Sequence, residues 1–379
     1  MERRAAAVGA MPVGHDRASD EIVWRPNDDY VRRSRLRRFM NAQGVASFEA
    51  LLERAATDPA WFWDATIKDL DLQFYTPYTS VLDQSRGLPW TTWFPGGEYN
   101  WVHNAVDKYA AGPQATKTAL IWEGDDGAKR QLTYQELRAE ADRLAGALAA
   151  LGVAKGDRIG IFMPMLPETV VATIAAGKLG AIYIPIFSGY GAESVATRLR
   201  DAEAVCLITA DGFYRRGGIV PMKATADAAL ATAPTIKHVV VCRRLGDGRA
   251  AMAAGRDVWW DEIVAGQPAE FATAHTAAED PFMIIYTSGT TGRPKGALHI
   301  HAGFPIKAVH DLAYCFDVQE DDVVFWLSDL GWMMGPWLIF AALINQAAMA
   351  LYVNAPKDRA FGEFVERAGV TMLGLVQIG

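Results

Sequence analysis

One run of ten residues combines side chains and spacings suited to chemistry: Thr287-Ser288-Gly289-Thr290-Thr291-Gly292-Arg293-Pro294-Lys295-Gly296, directly after the apolar stretch Phe282–Tyr286. Its glycines permit backbone shapes that other residues resist. Successive N–H groups can then form a concave nest for phosphate oxygens. Four hydroxyls add donors, and Arg293 and Lys295 add positive charge. Merely turning a chain requires none of these. The spacing is not that of a Walker A loop, because the second Gly and the Lys-Ser/Thr pair do not follow Gly289 where they should; nor is it G-x-G-x-x-G.

Such a loop needs a strand before it and a layered sheet to hold it. The chain supplies that rhythm. Thr118–Glu123 and Lys129–Leu132 read as a strand pair around a Gly124–Gly127 turn. Thr133 and Glu136 form a capping box that opens a helix ending at Gly152. Strand Arg158–Met163, helix Pro167–Gly180, strand Ala181–Pro185, helix Ala192–Ala202 and strand Ala204–Thr209 follow, and strands resume at Phe282–Tyr286, Val323–Leu327, Ala348–Val353 and Val370–Leu375. This alternation predicts a parallel sheet covered by helices on both faces. Upstream, Asn27–Asn41 reads as a basic amphipathic helix carrying Arg32, Arg33, Arg35, Arg37 and Arg38 on a solvated face, and Ser47 caps a helix running to Asp69. Between Pro89 and Trp101 an aromatic, Pro/Gly-rich stretch has no period, and its rings are expected to cover the following domain.

Bulk properties narrow the class. The 379 residues are 51% apolar and 21% charged, a globular balance, and the net charge of −7 gives no bulk attraction to nucleic acid or to an anionic membrane. Cys206, Cys242 and Cys315 lie far apart without a C-x-x-C pair, which argues against a disulfide framework or a zinc site and fits the cytoplasm. Pro12, Gly14, His15 and Asp16 break the N-terminal apolar run too early for a signal peptide, leaving a floppy tail. Met333–Val353 reaches spanning length, but Pro336, Asn345 and Gln346 interrupt it; a buried helix, a turn and a buried strand account for it. His299 and His301, on one face of an expected strand, lack acidic or cysteine partners nearby in sequence and read as structural.

The run Tyr286–Gly296 resembles the signature loop of the adenylate-forming superfamily: acyl-CoA synthetases, peptide-synthetase adenylation domains and luciferases. Other segments resemble the acetyl-CoA synthetase branch. They are Trp93-Phe94-Pro95-Gly96-Gly97 with Asn100 and Asn104; Gly156-Asp157-Arg158 with Pro164 and Pro167-Glu168; Phe187-Ser188-Gly189-Tyr190; Thr209-Ala210-Asp211 followed by Arg215-Arg216-Gly217-Gly218; and Asp329-Leu330-Gly331-Trp332. The likeness runs from Phe74 to the chain end. It implies an α/β fold: an incomplete large N-terminal domain of an adenylate-forming enzyme, with mostly parallel sheets flanked by helices, preceded by a helical N-terminal extension. The corresponding division is a tail over 1–25, the extension over 26–110 and an AMP-binding domain over 111–379, with no C-terminal hinge domain.

The same resemblance implies ATP-dependent activation of a small carboxylic acid to an acyl-AMP and then an acyl-CoA, with ATP, Mg²⁺ and coenzyme A taking part and neither nucleic acid nor membrane as partner. Thr287, Ser288, Gly289, Thr290, Thr291, Gly292 and Lys295 would hold ATP phosphates. Arg215 falls on a CoA-phosphate position; Gly218 stands where the branch has a second arginine, and Arg216 is its candidate substitute, with a solvated turn as the alternative. Phe187 and Gly189 match positions beside the CoA adenine. Trp332, Met333 and Met334 match the acyl-pocket wall, where acetate enzymes carry smaller residues than the two methionines; these would line a pocket for a different acid or pack in the core. Gln346 replaces a turn glycine and would be strained at positive φ. The Tyr-x-x-Thr-Glu element that supplies the Mg²⁺-binding Glu, a ribose-binding Thr-Gly-Asp and the adenylating lysine are not found, so no catalytic residue is assigned. The expectation is a partial or inactive fragment of such a ligase; the alternatives are a non-catalytic nucleotide-binding remnant and another adenylate-forming ligase.

Overall fold

Runs of Val, Ile, Leu and Ala bounded by turn residues form two mostly parallel sheets. The computed structural model describes residues 25–215, 217–246, 250–287, 294–353 and 359–375. The larger sheet has seven strands in the order Asp257–Trp259, His238–Cys242, Cys206–Ala210, Arg158–Phe162, Ile182–Ile186, Pro281–Thr287 and Lys295–Ile300. Only its last pair is antiparallel. The second sheet has five strands in the order Met372–Gly374, Val323–Trp326, Ala348–Tyr352, Thr118–Glu123 and Lys129–Thr133, again antiparallel only at the last pair. Ile182–Ile186, Cys206–Ala210 and Ala348–Tyr352 are buried along their whole length, as parallel strands covered on both faces must be.

Local signals place the helices. The Thr133–Glu136 capping box forms and opens Tyr134–Ala150. Pro167 occupies the first turn of Pro167–Leu179, and Gly180 closes that helix at φ 67°. Met334–Ile344 is the buried helix expected from the long apolar run; a turn at Asn345 and Gln346 leads into Ala348–Tyr352. Gln346 does adopt φ 62°. No helix among the described residues is long and apolar enough to cross a membrane.

The N-terminal part differs from the expectation in two places. Asn27–Asn41 is not one helix but two, Asp28–Arg33 and Arg35–Ala42, because Ser34 turns extended and its hydroxyl caps the second by accepting from the Arg37 N–H. Ser47 caps as expected, but Ser47–Asp69 also divides, into Phe48–Thr57 and Pro59–Asp69. Asp58 caps the Trp61 N–H and Pro59 sits at the first helical position, a stop-and-start pair visible in the sequence. Nor is every arginine solvated. The Arg35 N–H donates to Asp317 Oδ1 (2.6 Å), and its Nη1 donates to Val318 O (2.9 Å) and Asn345 Oδ1 (2.5 Å). Phe39 and Met40 are buried beneath the same helix. Of the aromatic stretch, Phe94, Tyr99 and Trp101 are buried, and Trp101 packs edge-on against Phe340 at 4.7 Å, whereas Trp90 is exposed.

Between Phe213 and Trp259 the chain adds a hairpin (Phe213–Arg215 with Gly218–Val220), a helix Met222–Leu230 and two sheet strands that the sequence reading passed over. The His238-Val-Val-Val-Cys242 run was a legible strand signal. Beneath the larger sheet lies a paired ionic cluster. Lys178 Nζ, withdrawn from solvent, sits 2.5 Å from Asp107 Oδ1 and 2.8 Å from Asp142 Oδ1, and Arg138 lies 3.4 Å from Asp142 Oδ2.

Candidate functional site

In parallel sheets, ligands gather where strands deliver their carboxyl ends. Here the chain moves from Arg158–Phe162 to Ile182–Ile186 on one side, then back to Cys206–Ala210 on the other, so the order reverses around the first of these strands. Three predicted segments leave this edge. The Phe187–Tyr190 turn follows Ile182–Ile186 and closes with the Tyr190 N–H donating to Phe187 O (3.0 Å). Thr287 ends the neighbouring strand; the register Met283–Tyr183, continued along both strands, sets it level with Phe187. Arg215 follows Cys206–Ala210 on the exposed hairpin. A fourth segment, Asp329–Met334, follows the carboxyl end of Val323–Trp326 in the second sheet.

The first and fourth of these predicted groups meet. The Phe187 ring lies 5.5 Å from the Trp332 ring and 5.3 Å, edge-on, from Tyr190. Gly331 is required by this contact, since a Cβ there would enter the Phe187 backbone, and a Cβ at Gly189 would strike the Phe187 ring. Between the segments sits Asp329. Part of its surface reaches solvent, but its carboxyl is enclosed: Ser188 Oγ donates to Oδ2 (2.6 Å), while the Gly331 N–H (2.9 Å) and the Ser188 N–H (3.3 Å) donate to Oδ1. Enclosure raises its pKa from 3.8 to about 6, against the lowering effect of those donors and of the nearby Arg215 charge. Sequence reasoning quoted Ser188 and Asp329 without giving them a task; no motif announces a carboxylate whose side-chain donor lies 141 residues away.

The exposure of the acyl-wall candidates settles their packing. Trp332 and Met333 are 54% and 52% exposed, so neither is a core residue; Met334 is partly buried at the start of its helix against the main core. Thr287 and Lys295 are cross-strand partners in the antiparallel pair that carries the phosphate run. Ser288, Gly289, Thr290, Thr291, Gly292 and Arg293 lie outside the described residues, as does Arg216.

The histidine reading needs one correction. His299 lies near the end of a strand, beside Phe304, but His301 lies beyond Lys295–Ile300 in a turn, so the two do not share a strand face. His301 is fully buried against Phe282, and burial pushes its pKa down to about 3, leaving it neutral. His310, Asp311 and Cys315 bring ligand-type atoms within 4.8 Å of one another, but Lys307 already neutralises Asp311 and His310 packs among Phe62, Trp63 and Tyr314. All three cysteines are free.

The segments expected to meet phosphate, an aromatic-bounded ligand and a negative group all follow carboxyl ends of strands in the sheets, the architecture of an α/β nucleotide-handling fold. Residues 106–377 match the family model described as AMP-binding enzyme, and residues 48–105 match that of the acetyl-coenzyme A synthetase N-terminus. The chain belongs to the AMP-binding enzyme family. It is 41% identical over 337 residues to an acetyl-coenzyme A synthetase of Rhodopirellula baltica, covering 86% of this chain and 50% of that protein. With the same-named protein of Methanothrix soehngenii it is 36% identical, covering 90% and 51%. An acetoacetyl-CoA synthetase structure from Streptomyces lividans superposes with a TM-score of 0.86 at 28% identity, covering 93% of this chain and 55% of that one. The chain thus spans about half the length of the curated relatives it matches.

Proposed function

We propose that this chain supplies the nucleotide- and CoA-binding part of an AMP-forming acid–thiol ligase acting on a short carboxylic acid, in the cytoplasm. In that reaction a carboxylate oxygen attacks the α-phosphorus of ATP and pyrophosphate leaves; the CoA sulfur then attacks the acyl carbon and AMP leaves. The first step gathers negative charge, which fixed donors and cations offset. Thr287 and Lys295 stand at the feet of the run whose Ser288, Gly289, Thr290, Thr291 and Gly292 would surround the phosphates. Arg215, with Arg216, would meet the phosphates of CoA, and Phe187 and Gly189 its adenine. Trp332, Met333 and Met334 would border the acid. Their bulk favours an acid other than acetate. The division into an extension over 26–110 and an AMP-binding domain over 111–379 belongs to the same reading.

The observation that carries it is the meeting of the Phe187 and Trp332 segments at the edge where Thr287 and Arg215 also emerge. Mg²⁺ finds no ready ligand among the described residues there. The adjacent carboxylates are committed, Asp329 to Ser188 and Asp201 to the Tyr286 hydroxyl (2.5 Å).

Equilibrium titration of the chain with CoA and with ATP tests the assignment. Arg215→Ala is expected to weaken CoA about tenfold and leave ATP unchanged, and Lys295→Ala the reverse, since each removes a charge-assisted phosphate contact. Failure of the unsubstituted chain to bind either ligand at millimolar concentration would sink the reading. The 379 residues alone are expected to make little acyl-CoA, because the sequence holds no recognisable Mg²⁺-binding Glu element or adenylating lysine; brisk acyl-CoA formation would refute that.

A further inference from the structure

The Phe187–Tyr190 turn is held from two sides by charged groups withdrawn from solvent. One is Asp329, whose carboxyl takes donors from Ser188 and Gly331. The other is Arg198, only 6% exposed, on the helix Ala192–Asp201 that follows the turn. Its guanidinium centre lies 4.2 Å from the Tyr190 ring and 5.6 Å from the Tyr286 ring, and its Nη1 donates to Ser194 O (2.6 Å). No carboxylate pairs with it among the described residues. A buried guanidinium is costly unless something compensates it, and aromatic faces are a known compensation. Tyr286 is itself fixed to the same helix, since its hydroxyl donates to Asp201 Oδ2 (2.5 Å). Tyr286 directly precedes Thr287.

We propose that Asp329 and Arg198 are positioning residues that clamp the Phe187–Tyr190 turn from opposite sides, coupling the Trp332–Met334 segment to the strand end at Thr287. The turn cannot shift toward or away from Trp332 without breaking the Ser188–Asp329 bond or meeting the Gly331 backbone. It cannot shift relative to the Pro281–Thr287 strand without withdrawing Tyr190 from Arg198. Phe187, in contact with both Tyr190 and Trp332, joins the two halves of the clamp. The proposal rests on the proposed function only for which ligand each segment would hold; the coupling is a property of the ligand-free chain.

The test reads each end of the clamp after changing the other. Trp332 emission is isolated by difference against the Trp332→Phe chain, and amide hydrogen exchange is followed at Ile285–Thr287. Arg198→Met is expected to shift Trp332 emission although Arg198 makes no ring contact with Trp332. Asp329→Asn is expected to speed exchange at Ile285–Thr287 at least about twofold, the scale of coupling through packed networks. Should Arg198→Met not fold, Arg198→Lys, which keeps the charge but loses the planar stack, is read the same way; Ser188→Ala serves for Asp329. Changes confined to the immediate neighbours of each substitution would overturn the clamp. Parallel titrations with CoA alone and ATP alone report separately on the functional reading: a chain that binds neither yet shows the remote changes keeps the clamp and loses the ligase assignment.

Discussion

Two regions of this molecule take ionised groups out of water, and they do so differently. Beneath the larger sheet Lys178 is matched by Asp107 and Asp142, with Arg138 beside them. At the carboxyl edge, Asp329 is answered by a hydroxyl and two backbone N–H groups, and Arg198 by two tyrosine faces. The first arrangement neutralises charge within the fold and ties Pro167–Leu179 to Tyr134–Ala150. The second leaves charge only partly compensated, next to the segments proposed to hold ligands. Charge matched by opposite charge marks scaffold; charge answered only by dipoles and ring faces marks the place where the fold accepts cost in order to hold geometry.

Breaking the paired region should cost most. Lys178→Met leaves Asp107 and Asp142 withdrawn from solvent without their ammonium, and urea unfolding should register a loss of about 3–5 kcal/mol. An unchanged midpoint would mean the cluster is hydrated. The edge behaves oppositely. Because the folded state raises the Asp329 pKa from 3.8 to about 6, the native protein holds that proton more tightly than the unfolded chain does. Stability from this group is therefore full below pH 4, falls as pH rises to about 6, and is flat above, a span of roughly 3 kcal/mol. Subtracting the pH profile of Asp329→Asn from that of the unsubstituted chain should leave this slope; a flat difference would place the carboxyl in water. Gly331→Ala forces a methyl into the Phe187 backbone and should cost about 1–3 kcal/mol while shifting Trp332 emission. Smallest is Gln346→Gly, which belongs to neither region. It relieves a φ of 62° and should gain under about 1 kcal/mol, with Trp332 emission unmoved.

Much of this was legible in the residues. The capping box at Thr133, the Gly180 helix end and the Met334–Ile344 helix were local signals, and the structure keeps them. The Thr287–Gly296 run stood out by composition. The breaks at Ser34 and Asp58 were also written locally, as a serine and an Asp-Pro pair, but the apolar period on either side masked them. The clamp was not legible. Ser188 finds Asp329 across 141 positions, and Arg198 finds Tyr286 across 88, distances over which only the folded sheet order brings partners together. The hairpin and strands between Phe213 and Trp259 were missed for a different reason: several are three residues long, too short to show a period.

Arg35 has a consequence in time rather than in energy. Its partners Asp317, Val318 and Asn345 lie 282 to 310 residues downstream. At synthesis rates of about 5–20 residues per second, its helix leaves the ribosome roughly 15 to 60 seconds before the surface it docks on exists. For that interval Phe39, buried in the finished fold, has the Phe62 ring to lie against but not the Tyr314 ring, and the beginning of the chain must wait for residues far behind it before it can settle fully.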